Sequence, residues 1–242
     1  MRIANRFAKW SRLAGAIVLA VLAYNPTPAT ARDFGAPLGL YGGAFATWQF
    51  SDFDLNITPA SATLPKSVST NGLGGGFMLG YDWAPFFDNW TVGVIADAAF
   101  GDWSQSFGPG NGNQLDVDFL VTMRGRVGYW VSPHLMPYFT AGLAWEGATF
   151  KNPPVKPAGA GTATAVTSFA NTMPGWTVGT GIDWRLGHTV TLNAEYLYAD
   201  FSNWTFTTAQ QGKFDVPLSS HQLRLGLKIP LSDPEYIDSR RR

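Results

Sequence analysis

Ser219, Ser220 and His221 stand side by side, and a serine hydroxyl next to an imidazole is the beginning of a nucleophilic relay. That chemistry needs an oriented base within hydrogen-bond reach and an acid behind it. The spacing supplies no acid, although Asp200 or Asp215 could come near in space. A strand-end histidine beside serine is more often a polar rim residue, and His221 is expected to be one. His134 and His188 fall in predicted turns at the opposite end from His221, so the three histidines do not converge on a metal. Gly72, Gly74, Gly75 and Gly76 could suggest a phosphate-cradling loop. No βαβ pattern and no P-loop lysine follow, so the run reads as a strand with small side chains. Zero cysteines exclude a disulfide scaffold, Cys-ligated zinc and a Cys nucleophile. The expectation is a protein without catalytic, cofactor-binding or metal-binding residues, and not an enzyme.

The elements that would position these side chains come from composition and periodicity. The chain has 242 residues, 14% of them charged and 14% aromatic, with 27 glycines. The charged fraction is low against the roughly 25% of soluble domains. Formal neutrality, 17 basic against 17 acidic groups, argues against a strongly basic nucleic-acid binder. Arg2, Arg6, Lys9 and Arg12 precede an apolar run from Leu13 to Ala23 and then Ala29-Thr30-Ala31. This is the layout of a secretory signal, with cleavage expected after Ala31. The apolar run is too short for a spanning helix, which needs about 20 residues, and Pro26 and Pro28 break it. Without residues 1–31 the basic groups fall to 13 against 17 acidic ones, a net charge of −4.

Beyond the signal, period-2 alternation dominates. Leu223, Leu225, Leu227, Ile229 and Leu231 alternate with Gln222, Arg224, Gly226 and Lys228; residues 176–186 and 190–198 behave alike. Eight strands are predicted, at roughly 38–49, 73–83, 90–101, 117–130, 135–149, 175–186, 189–201 and 221–231. Connections alternate in length. Ala84–Asn89, Val131–His134 and Gly187–His188 are short, whereas Phe50–Gly72, Asp102–Asp116, Phe150–Pro174 and Ser202–Ser220 are long. Short turns at one end and long loops at the other are the mark of a transmembrane barrel. A closed barrel also satisfies every backbone N–H and C=O in a solvent without water. The fold predicted is an all-β, eight-stranded, antiparallel up-and-down transmembrane barrel over residues 32–231.

One face carries Phe77, Leu79, Tyr81 and Trp83; Trp90 to Phe100 at even positions; Phe119, Val121, Met123, Val127 and Tyr129; and Phe139, Ala141, Leu143 and Trp145. The opposite face is rich in Gly and Thr with a few charges, which suits the cramped lumen of a small barrel better than a solvated surface. Aromatic residues gather at strand ends, as at membrane interfaces. Trp83, Phe86, Phe87, Trp90, Tyr129, Trp130 and Trp184 are assigned to the short-turn girdle. Trp48, Phe100, Trp103, Trp145, Trp176, Tyr198, Phe201 and Trp204 are assigned to the long-loop girdle. Inward positions hold Asp82, Asp97, Glu146, Asp183 and Glu195 against Arg124, Arg126, Arg185, Arg224 and Lys228, five acids and five bases. Asp97 with Arg124, and Glu195 with Arg224, lie at similar heights and are predicted ion pairs, joined into one network by Arg126 and Glu146. Such pairing would plug the lumen, which eight strands leave without a continuous aqueous pore. Loop charges, Asp52, Asp54, Asp102, Asp116 and Asp215 against Lys66, Lys151, Lys156 and Lys213, give no decisive steer to a ligand.

Arg124-Gly125-Arg126-Val127-Gly128-Tyr129, Pro137 to Ala144, Gly175 to Ile182 and Glu195-Tyr196-Leu197-Tyr198-Ala199-Asp200-Phe201 resemble small outer-membrane β-barrels of the porin-like, outer-membrane immunogenic type. His221 to Leu227 resembles that family's last strand. The resemblance implies an OmpA/OmpX-like eight-stranded barrel in the outer membrane of a Gram-negative envelope, with no catalytic motif to carry over. Its implied partners are outer-membrane lipids and lipopolysaccharide, the barrel-assembly machinery, and an extracellular ligand met through the long loops; no nucleic acid and no cofactor is implied. The chain departs at its end, where Ile229 stands in place of the usual aromatic and residues 232–242 follow as a periplasmic tail ending Arg240-Arg241-Arg242. The preferred role is structural and surface-exposed. A lipid A-modifying enzyme and a small porin-like channel are the alternatives, separated by a His221 substitution and by conductance.

Overall fold

A computed structural model describes residues 38–54, 56–58, 67–83, 89–107, 113–152, 167–187, 189–208 and 212–231. The predicted signal (1–31), the whole tail (232–242), Phe86, Phe87, Lys66, Lys156 and His188 lie outside the described residues, as does the side chain of Trp204. Eight long strands form the wall: β1 (Gly39–Asp54), β3 (Ser67–Trp83), β4 (Trp90–Phe107), β5 (Asn113–Tyr129), β6 (Leu135–Asn152), β7 (Thr167–Arg185), β8 (Thr191–Thr208) and β9 (Gly212–Pro230). The three-residue β2 (Asn56–Thr58) pairs with β9 above the end of β1. Every long strand pairs antiparallel with its neighbour in the chain, and β1 closes on β9 from Tyr41↔Pro230 to Phe53↔Leu218. The cylinder is therefore the up-and-down barrel expected from the alternation.

Side chains follow the two-residue period of a strand. Along β9, Leu223, Leu225, Leu227 and Ile229 are exposed, while Gln222, Arg224, Gly226 and Lys228 are buried. Phe77 is 71% exposed on the outside, whereas Arg124 is 1% exposed and Glu146 0% exposed on the inside. A continuous exposed belt of Leu, Val, Phe and Trp far exceeds the few hundred Å² of apolar patch a soluble monomer tolerates. Hydrocarbon is the solvent that suits it. The same period corrects three girdle assignments. Trp103, Trp130 and Phe201 share the parity of the lumen residues Asp97, Arg126 and Glu195, and all three are buried inside. Aromatic pairs do form at both rims of the outer face. Trp90 meets Tyr129 at 5.2 Å and Tyr81 meets Trp83 at 6.0 Å near the short turns. Trp176 meets Tyr198 at 5.5 Å and Trp48 meets Phe50 at 5.0 Å near the other end.

The strands are longer than the sequence suggested. At 16 to 19 residues and a tilt of about 40°, each rises roughly 40 Å, against an apolar band about 25 Å tall. The excess lies in the segments read as long loops: Asp52, Asp54, Asp102, Asp116, Lys151, Lys213 and Asp215 all stand on strands. Where both faces of the sheet meet water, no apolar alternation marks the residues as strand. Ser104, Gln105 and Ser106, and likewise Ala170, Asn171 and Thr172, are exposed in succession.

Candidate functional site: the charged lumen

Six strands aim the ionised side chains of two quartets at the barrel axis. In the upper one, Arg124 of β5 reaches Asp97 of β4 at 2.6 Å and Glu195 of β8 at 2.7 Å. Arg224 of β9 reaches Asp97 at 2.8 Å and Glu195 at 3.7 Å. Thr122 donates to Asp97 Oδ2 at 2.6 Å, and Arg124 also donates to Thr140 Oγ1 at 3.0 Å. Both predicted pairs are present, but each arginine also bridges to the other's acid. In the lower quartet, Asp183 of β7 accepts from Arg126 at 2.7 Å and from Lys228 at 2.8 Å, with Asp82 3.5 Å from Arg126 Nε. Each quartet holds two acids and two bases, so each is neutral by itself. That balance is what a water-poor interior requires, since an unpaired ion there costs several kcal/mol.

The connectors differ from those predicted. Arg126 belongs to the lower quartet, and Glu146 makes no ion pair among the described residues. Two uncharged side chains do the joining: Tyr138 donates its hydroxyl to Glu195 Oε1 at 3.1 Å and accepts from Asn193 Nδ2 at 2.7 Å. Asn193 also donates to Asp183 Oδ1 at 2.8 Å. Tyr138 and Asn193 carry the lumen parity of their strands, a signal in the sequence that a search for charge does not use.

Glu146 ends a different chain. Arg224 Nε donates to Gln222 Oε1 at 2.7 Å, Gln222 Nε2 to Gln49 Oε1 at 2.5 Å, and Gln49 Nε2 to Glu146 Oε1 at 3.3 Å. Each amide accepts on its cationic side and donates on its anionic side, so the dipoles line up from guanidinium to carboxylate. Arg185, the remaining base, sits near the periplasmic end with its guanidinium 4.6 Å from the Trp130 ring centre. Of the ten predicted lumen charges, eight thus make up the two quartets, and Glu146 and Arg185 lie outside both.

Aromatic rings pack among the ions. Arg126 lies 4.5 Å over the Tyr138 ring and Arg224 4.5 Å over Phe45. Glycines of β3 make room for this layer. A Cβ on Gly76 would come 2.6 Å from Phe45 Cζ, and one on Gly80 would strike the Tyr41 ring. Towards the extracellular end, Phe53, Trp103, Leu115, Met173, Phe201 and Leu218 fill the interior with apolar bulk. A cavity of about 40 Å³ remains at the periplasmic mouth, between Tyr41, Asp82, Trp130, Met136, Asp183 and Lys228.

The serine–histidine reading fares differently. Ser220 faces the lumen, 1% exposed, while His221 faces outward. His221 Nδ1 lies 2.7 Å from the Tyr196 hydroxyl, and its ring lies 5.0 Å from that of Tyr198. Tyr198 donates to Asp200 Oδ2 at 3.1 Å. Ser219 is the register partner of Asp200, and its Cα stands about 6.7 Å along the strand from that of His221. His221 therefore belongs to the aromatic rim. His134 is exposed in the β5–β6 turn, far along the barrel from it. Among the described residues no group of three or more His, Cys, Asp or Glu could hold a metal.

A model of the outer membrane protein β-barrel domain matches residues 16–230. The 31 kDa outer-membrane immunogenic protein of Brucella melitensis biotype 1 is 30% identical over 203 residues, covering 80% of this chain and 80% of that protein. The 22 kDa outer membrane protein of Rhizobium leguminosarum bv. viciae is 26% identical over 201 residues, covering 83% and 81%. Among solved structures, Neisserial surface protein A (NspA) aligns with a TM-score of 0.48 at 15% identity, over 80% of this chain and 97% of that one.

Proposed function

We propose that this chain, which belongs to the outer membrane protein β-barrel family, is a structural, surface-exposed part of the outer membrane whose lumen is sealed by paired charges. The observation that carries the reading is Arg124, fully buried and held between Asp97 and Glu195 at 2.6 and 2.7 Å. A guanidinium so bridged fills the bore with fixed charge and leaves it no freedom to line a channel. Residues 1–31 would direct export and be removed, and residues 232–242 would stay in the periplasm. The apolar outer face meets lipid, the rim around Trp176, Tyr198 and His221 lies at the level of lipopolysaccharide, and β9 is the segment the barrel-assembly machinery would meet. Relatives are named as outer-membrane immunogenic proteins, which fits a barrel whose sheet stands clear of the membrane.

The test is conductance of the refolded barrel in planar bilayers. A sealed lumen gives no stable steps, while a large steady conductance overturns the proposal in favour of a pore. The non-catalytic part is tested separately. His221→Ala is expected to leave the lipid A acyl pattern unchanged by mass spectrometry, and an altered pattern would place an enzyme at that rim.

A further inference from the structure

We infer that Glu146 and the hydroxyls facing it across the bore form a closed site for one small alkali cation, taken up while the barrel folds. Glu146 is 0% exposed, and among the described residues no base pairs with it. Its Oε1 accepts from Gln49 Nε2 at 3.3 Å, and its Oε2 has no hydrogen-bond partner. A buried carboxylate with a single long hydrogen bond and no counter-ion is a costly arrangement. The rest of the lumen cannot relieve it. Both ion quartets are neutral by themselves, and Arg185 stands level with His134 at the foot of β6, on the far side of both.

The strand register supplies further oxygens. β6 stands opposite β1 in the closed wall, so the Glu146 side chain reaches across the bore. Gln49 Nε2, which donates to Glu146, also donates to Ser51 Oγ at 3.0 Å, and this sets the carboxylate at the height of Ser51. Ser51 is the register partner of Thr70 on β3 and of Ser220 on β9. Three hydroxyls therefore stand in a row on three adjoining strands, each buried in the lumen. Ser220 stands against the Glu146 carboxyl. Yet its Oγ makes no well-formed hydrogen bond, and neither does Thr70 Oγ1.

The occupant follows from charge and ligand type. A carboxylate and hydroxyls are hard oxygen ligands, which suit a hard cation and not a soft one. One negative charge is balanced by one positive charge. Calcium asks for six to eight oxygens, and magnesium keeps much of its water, so neither fits so few ligands and so low a charge. A water molecule would satisfy hydrogen bonds here but leave the charge uncompensated. Above the site Phe53, Trp103, Leu115, Met173 and Leu218 fill the bore, and below it lies the upper quartet. A cation enters this space before the wall closes and is then held.

The test is to refold the mature barrel in sodium chloride or in N-methylglucamine chloride at one ionic strength, with radioactive sodium as tracer. After desalting into sodium-free buffer, the parent is expected to keep tracer approaching one ion per chain, Ser220→Ala less, and Glu146→Gln none. Sodium is expected to favour the folded parent in urea by roughly fivefold, the effect of a ligand at about four times its dissociation constant. Glu146→Gln should unfold alike in the two salts. A parent that keeps no tracer overturns the proposal and leaves a proton or water as the partner of Glu146. Equal retention by parent and Glu146→Gln, or an equal sodium effect on both, also overturns it, because the ion would then act elsewhere.

Discussion

The Tyr138 hydroxyl donates to Glu195 Oε1 across 3.1 Å while accepting from Asn193, and so makes one network of two ion quartets. Tyr138→Phe removes that link without emptying the ring space. A hydrogen bond to a charged acceptor is worth about 1.5–3 kcal/mol. Urea unfolding of the refolded barrel should show a loss of that order, and Arg124→Leu combined with it should lose less than the two separate costs together.

Arg124 serves two carboxylates, so removing it leaves Asp97 and Glu195 with Arg224 alone. Arg124→Leu is expected to cost about 3–5 kcal/mol, the usual result of orphaning a buried charge. The heat-dependent change in gel mobility of the folded barrel offers a second readout, with the transition moved to lower temperature. A variant as stable as the parent would show that the upper quartet is not what holds the interior.

Among the described residues Glu146 has no cation beside it, and it accepts from an amide. Glu146→Gln keeps the shape and should change stability by less than about 1 kcal/mol, the scale of a neutral hydrogen bond. Glu195→Gln, which breaks into an ion quartet, should cost several times more. Equal costs in the same unfolding assay would mean that Glu146 is paired after all.

On the outside, Met123 is 59% exposed in the middle of β5, on the lipid-facing parity. Met123→Arg is expected to destabilise the barrel in lipid vesicles by about 2–4 kcal/mol, and Leu231→Arg at the rim by about 0–1 kcal/mol. A soluble sandwich would show no such dependence on depth.

The barrel was legible because lipid on one side and a filled lumen on the other impose a strict two-residue period between residues 73 and 231. Where both faces meet water the period vanishes, and the strand at Ala170, Asn171 and Thr172 looks like loop. Pairs at equal height, Asp97 with Arg124 and Glu195 with Arg224, could be read by counting along strands. The bridges from Arg124 to Glu195 and from Arg224 to Asp97 cross the bore, and crossing distances depend on barrel diameter rather than on height. Aromatic type points Trp103, Trp130 and Phe201 to the girdles, whereas their parity points them inward. Tyr138 and Asn193 have the lumen parity as well, but neither is charged, so a search for charge does not find them.

A membrane barrel requires alternate side chains of β9 to face hydrocarbon. The chain has no cysteine, so single nitroxide labels can be placed at Leu223, Leu225, Leu227 and Ile229 without interference. In lipid bilayers, all four should collide with dissolved oxygen far more often than with a water-soluble nickel chelate, most strongly at Leu225 and Leu227. Labels at those two positions that meet the nickel chelate freely would show that this face lies in water, and the membrane barrel would have to be abandoned.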